Sequence, residues 1–248
     1  MLLDINLELA QSIILSHIPS LASEELPLME SFGRVLAMDY AARHDLPMQA
    51  RSAVDGYALA VGEAPVNSSF LLKVVPSNEA AVISEDEAMA VTTGGSLPEG
   101  TQAVVPHEKT LLQDGKLSVL ESIKPGANIK TSGEDYRQGE ILATTGTIID
   151  GGVAAALAAF GYSRINVRVR PRVAVLALGN SIVPFDVSPE PHQMRDSNGP
   201  MLAAMISQDG CETVSIEVAD SIESADKVLR HMLSRADMVV CTGGTYAR

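Results

Sequence analysis

Tryptophan is absent and aromatic residues make up 4% of the 248-residue chain, which leaves little flat apolar surface for bases to stack on. Basic residues are scarce as well: 18 Lys and Arg stand against 31 Asp and Glu, for a net charge of −13. Such a field repels a phosphate backbone and argues against a nucleic-acid binder. The two cysteines, Cys211 and Cys241, fit neither a C-x-x-C nor a zinc spacing, so they read as small buried hydrophobes of a reducing compartment. Apolar runs such as residues 153–160 fall short of the ~20 residues of a membrane span. Residues 1–18 carry no positive segment, and Asp4 and Glu8 interrupt their apolar positions, so they read as an amphipathic helix and not as a signal peptide. The chain reads as cytoplasmic, with no membrane partner. Hydrophobic residues at 46% nonetheless supply a sizeable core and exclude a disordered chain.

The texture changes twice along the chain. Residues 5–18 place Leu7, Leu9, Ile13, Ile14 and Ile18 on one helical face, and a shorter helical segment is expected over 31–42. From about 45 to 135, short apolar runs alternate with Gly, Pro, Asn and Asp, which predicts a β-rich region. Its strands are expected at 70–75, 87–93, 103–113 (read as one strand) and 116–122, with Gln113-Asp114-Gly115 as the clearest turn. A short strand and a helix ending at Gly161 follow within 138–170. After Pro171 the runs 172–178, 212–218 and 237–241 read as buried parallel strands separated by helices over 196–208 and 221–235. Asp196 or Ser197, and then Ser221 and Ser224, offer their caps. A β-α-β-α-β order predicts a parallel sheet with right-handed crossovers. The last strand runs into Thr242-Gly243-Gly244, four residues from the last one, so the reading expects only the start of a doubly wound layer.

No G-x-G-x-x-G, Walker or H-E-x-x-H motif is present, and the five histidines are scattered, which leaves dinucleotide, P-loop and zincin chemistry without anchors. Three stretches remain. Asp55-Gly56 in SAVDGYALA is, taken alone, a common turn dipeptide. Thr92 to Gly100 place hydroxyls and glycines at a strand end, where backbone N–H groups can meet an anion. Glu134 and Asp135 lie in an acidic loop between Gly133 and Gly139.

Taken together, these segments resemble the MoeA-type molybdopterin molybdenumtransferases, the family that includes the E domain of gephyrin. The likeness runs through GRVLA, DLPMQARSAVDGYALA, VTTGGSLPEGTQAVVPHE, IKPGANIKTSGEDYRQGEIL, RPRVAVLALGN, DSNGPMLAAMISQDGC and MVVCTGG, in the family's order over nearly the whole chain. The resemblance implies a multidomain α+β and α/β protein. Its helical and β linking domain would comprise 1–26, 46–52 and 138–170, with an inserted β-rich domain at 27–45 and 53–137. Residues 171–248 would form the start of a doubly wound molybdopterin-binding domain, in which the chain stops.

The resemblance also implies an activity: insertion of molybdate into adenylylated molybdopterin, with release of AMP and with Mg²⁺. It implies a homodimer whose cleft is built between subunits, and a molybdopterin-adenylating protein of the same pathway as partner. Matched residue by residue, the catalytic positions fall on Asp55, Thr93 and Asp135, with Asp55 and Asp135 also serving the metal. Cofactor contacts fall on Ser52, Gly94, Asp220, Gly243 and Gly244. Carboxylate oxygens suit a hard cation that offsets the charge of a departing nucleotide. One departure stands out: where the family carries T-G-D-E-L, this chain has Leu178-Gly179-Asn180-Ser181-Ile182, without either acid. That favours the alternative of a noncatalytic, degenerate member acting as a dimeric scaffold or cofactor-binding protein.

Overall fold

The computed structural model describes residues 5–73 and 82–244. The chain divides into two compact units, one formed by residues 40–142 and the other by the segments on either side of it. Three parts of the expected structure lie outside the described residues: the first turn of the N-terminal helix, the end of the strand at 74–75, and the last four residues.

Helix α1 (Leu7–His17) is capped by Asn6, whose Oδ1 accepts from the Leu9 N–H at 2.9 Å. None of its residues is buried; Leu7 and Leu15 are 68% and 71% exposed. Strand β1 (Ser23–Pro27) follows. The helix expected over 31–42 does not form. Val35 and Leu36 instead make bridges to Ile148 and Val167, and the N–H groups of Leu36 and Ala37 donate to Thr147 and Asn166. Long-range ladders thus satisfy the backbone groups that a helix would have satisfied locally. The segment ends in β2 (Tyr40–Ala41).

The second unit carries β3 (Arg51–Ser52), β4 (Gly56–Leu59), β5 (Ser69–Leu72), β6 (Glu87–Val91), β7 (Ala103–Pro106), β8 (Thr110–Gln113), β9 (Lys116–Val119) and β10 (Ile129–Lys130). Six of these form one sheet in the order β7-β4-β6-β5-β9-β8. Strand β4 is buried throughout because each sheet face has its own core. Tyr57, Leu59, Phe70, Leu117 and Val119 pack on one face, and Ala58, Ala60, Ile83, Val91 and Val104 on the other. The single strand expected over 103–113 is two strands, parted by a 3-10 turn at His107–Lys109, where Pro106 offers no N–H to extend the ladder. The turn at Asp114-Gly115 forms as expected, with both residues at positive φ (49° and 77°), the geometry that suits a two-residue hairpin.

Strand β11 (Ile141–Ala143) pairs with β2, and helix α2 (Gly151–Ala159) begins at Asp150, whose side chain accepts from Val153. Strand β12 (Arg164–Arg168) runs antiparallel to β1. Between them the buried Arg34 donates to Glu24 and to the Arg168 carbonyl. The parallel layer comprises β13 (Arg172–Leu178), a short pair β14 (Ile182–Val183) and β15 (Met194–Arg195) that periodicity does not reveal, α3 (Asn198–Gln208), β16 (Glu212–Ala219), α4 (Ile222–Leu233) and β17 (Met238–Gly243). The order is β16-β13-β17, with both ladders parallel, as the alternating pattern predicts. Ala174, Leu176, Ala219, Met232 and Ala236 form its core with Val228 and Leu229 of α4. The Ser221–Ser224 capping box starts α4.

Candidate functional site

In the β-rich unit the chain turns between β3 and β4 at Asp55. Gly56 at the start of β4 is required by close approach, since a Cβ there would run into the Val105 carbonyl. Oδ1 of Asp55 accepts from the Thr93 N–H at 2.7 Å and from the Thr93 hydroxyl at 3.2 Å. These two bonds, backbone first, hold its carboxyl below the usual range, with a further contribution from His107. Residues 92–95 are stitched to β3: Gly94 N–H donates to the Ser52 carbonyl (2.8 Å), and Ser52 N–H to that of Gly95 (3.0 Å). Arg51 Nη1 also donates to the Gly94 carbonyl at 2.7 Å. Ser52 is 1% exposed, and its hydroxyl donates to the Val54 carbonyl at 2.6 Å, so its side chain shapes the turn that presents Asp55.

Asp135 belongs to the same unit. Its N–H donates to the Leu46 carbonyl, and its carboxylate pairs with Lys130 at 2.7 Å. Lys130 lies directly opposite Arg51 in the β3–β10 ladder. Among the described residues no group of three or more His, Cys, Asp or Glu side chains gathers as a metal cage. Asp55 and Asp135 are therefore single carboxylates on separate loops. Each is a hard oxygen donor of the kind Mg²⁺ takes alongside water. On Asp55, Oδ2 has no protein partner among the described residues, whereas Asp135 must first share its charge with Lys130.

The other expected residues lie at the carboxyl ends of the parallel strands, where open α/β sheets hold ligands. Asp220 follows β16; Ser224 and then Ser221 hydrogen-bond its carboxylate and draw its pKa down. Gly243 faces Leu178 across the β13–β17 ladder with φ +88°, and any Cβ there would strike the Leu178 carbonyl. Gly244 follows at φ +70°. Sequence reasoning missed two neighbours. Asp196 is 4% exposed; its Oδ1 caps α3 by accepting from Gly199, and its Oδ2 has no partner among the described residues. Asn198 Nδ2 donates to Thr242 Oγ1 at 3.1 Å. Their only signal in the sequence is a run of small polar residues, Asp196 to Gly199, between a parallel strand and its helix. Asn180, just past β13, is exposed, and Ser181 is half-buried.

A parallel layer with polar side chains and two positive-φ glycines at its strand ends has the architecture of an α/β ligand-binding domain, here joined to a β-rich unit that presents an exposed carboxylate. Comparison with known proteins gives it a family. Residues 5–161 match the model "MoeA N-terminal region (domain I and II)", and residues 174–246 match "Probable molybdopterin binding domain". The chain belongs to the MoeA family. It is 33% identical over 226 residues to the molybdopterin molybdenumtransferase of Staphylococcus epidermidis, covering 88% of this chain and 54% of that protein. It is 31% identical over 235 residues to that of Bacillus subtilis, covering 90% and 55%. A molybdopterin biosynthesis moeA protein from Pyrococcus horikoshii OT3 superposes with a TM-score of 0.82 at 28% identity, covering 96% of this chain and 66% of that one. The chain thus spans about half the length of the curated relatives it matches.

Proposed function

We propose that the chain acts in cytoplasmic molybdenum cofactor biosynthesis, as part of a molybdopterin molybdenumtransferase that inserts molybdate into adenylylated molybdopterin and releases AMP. The observation that carries this reading is the Asp55–Thr93 pair: an exposed carboxylate kept ionised by two hydrogen bonds, on a chain one-third identical to a named transferase. Asp55 would hold Mg²⁺ through its open oxygen, and Asp135 would join it on releasing Lys130. When bound, the cation offsets the negative charge of the leaving nucleotide. Gly94, Gly243 and Gly244 permit close backbone approach to phosphate or pterin. Asp220 stays ionised beside its two serines and can accept from pterin N–H groups. A homodimer belongs to the same reading, supported by the exposed apolar positions of α1; the substrate would come from a molybdopterin-adenylating protein.

The test is Asp55→Asn. The amide keeps an oxygen for Thr93 and loses the charge, so AMP release should fall to background while the thermal midpoint stays put. Equal turnover in the two proteins would overturn the assignment. A second reading rests on Asn180 and Ser181, which leave the end of β13 uncharged. In it the chain binds the pterin nucleotide without turnover, and stoichiometric binding with no AMP released would favour it.

A further inference from the structure

We infer that His107 is a ligand-binding residue of the Asp55 site, supplying an imidazole N–H to a tetrahedral oxyanion; this rests on the function proposed above. The observations form a chain. Because Gly56 has no side chain, β7 runs tight against β4, with Pro106 opposite Gly56. The 3-10 turn that follows then folds His107 back over the Asp55 loop, and its N–H donates to the Asp55 carbonyl at 3.2 Å. The imidazole meets the Tyr57 ring edge to face, with centroids 4.7 Å apart and planes at 85°. Tyr57 is part of the unit's core, so the imidazole rests on a rigid base. Among the described residues neither ring nitrogen has a hydrogen-bond partner, and the residue is exposed.

A fixed imidazole with free nitrogens therefore stands beside a carboxylate that already has its own donors. The Thr93 amide and hydroxyl are both spent on Asp55. An anion carried to Asp55 by a cation would find a side-chain N–H donor in His107, and a hydrogen bond to a charged ligand is among the stronger ones. Phosphate monoesters and molybdate share this chemistry, and the two arms of the experiment separate them.

The chain, supplied with Mg²⁺, is titrated with sodium molybdate in one calorimetric series and with AMP in another. His107→Phe keeps a ring on Tyr57 but lacks the donor, His107→Ala lacks both, and His107→Gln restores an N–H. For the anion that reaches the site, Phe and Ala should each raise Kd by about tenfold, while Gln stays near the wild type and thermal midpoints of Phe and Gln hold. If Phe binds as tightly as the wild type, His107 is only a packing residue and the inference fails, while the proposed function stands. If the wild type binds neither anion, the inference falls together with the function it rests on.

Discussion

The Asn198 side-chain amide donates to Thr242 Oγ1 at 3.1 Å, tying the first turn of α3 to the last residues of β17. The first crossover helix and the third strand, separated by a whole β-α unit in sequence, are thereby joined at the carboxyl end of the sheet. Asn198→Ala and Thr242→Val should each destabilise the parallel layer by about 0.5–1.5 kcal/mol. The double variant should cost less than their sum, whereas Thr242→Ser should match the wild type. Urea unfolding of the four proteins measures the coupling; strict additivity would mean the bond contributes nothing.

The two glycines after Thr242 should respond unequally to alanine. At Gly243 the new methyl group meets the backbone carbonyl of Leu178, which cannot yield without breaking the β13–β17 register. At Gly244 it meets only the Leu178 side chain, at 3.2 and 3.7 Å. Both pay for positive φ, roughly 1–2 kcal/mol, and Gly243→Ala adds a steric clash. Its thermal midpoint should fall clearly below that of Gly244→Ala, and equal midpoints would contradict the close approach.

Acidification should loosen the parallel layer through Asp237. Its carboxylate accepts from the Arg172 guanidinium and backbone N–H, which hold its pKa below the ordinary value, the side-chain bond contributing most. A depressed folded-state pKa means stability that is fully present above the unfolded value of about 3.9 and lost as pH falls through the folded one. In Asp237→Asn that component is missing at every pH. Unfolding free energy followed from about pH 6 down to about pH 2.5, across the ordinary carboxylate value, should therefore show a shallower decline for the variant. Parallel curves would show the pair to be idle.

Helix α1 supplies the test of self-association. Leu7, Ile14 and Leu15 are all more than half exposed. Leu7→Glu with Leu15→Glu should convert a dimer to a monomer in sedimentation velocity at micromolar concentration. A wild-type chain that already sediments as a monomer would remove the proposed homodimer.

What was legible in the sequence is what depends on neighbours along the chain. The parallel strands announced themselves as continuous apolar runs, Ser221 and Ser224 as a cap, and Asp114-Gly115 as a hairpin turn. Leu36 looked helical because its real hydrogen-bonding partners, Thr147 and Gly146, are more than a hundred residues away. The candidate site shows the same divide. Asp55 and Thr93 each read as turn chemistry in isolation, and only resemblance to a family joined them, since 38 residues separate the donor from its acceptor. Asp196 passed for an ordinary cap because no local pattern reveals that a carboxylate is buried with one oxygen unanswered.

Strands β2 and β11 pair, and next to them Ala42 N–H donates to the Glu140 carbonyl and Gly139 N–H to that of Ala42. The polypeptide therefore enters and leaves the segment 40–142 through one narrow ribbon, its two crossings about 5 Å apart. Such a doorway makes the segment a removable cassette. A linker of a few residues between Asp39 and Ala143 would span the gap at little entropic cost, and the excised piece would keep both of its sheet cores. Grafting that cassette from one relative into another would exchange the acid-bearing loops wholesale without rethreading the rest of the chain.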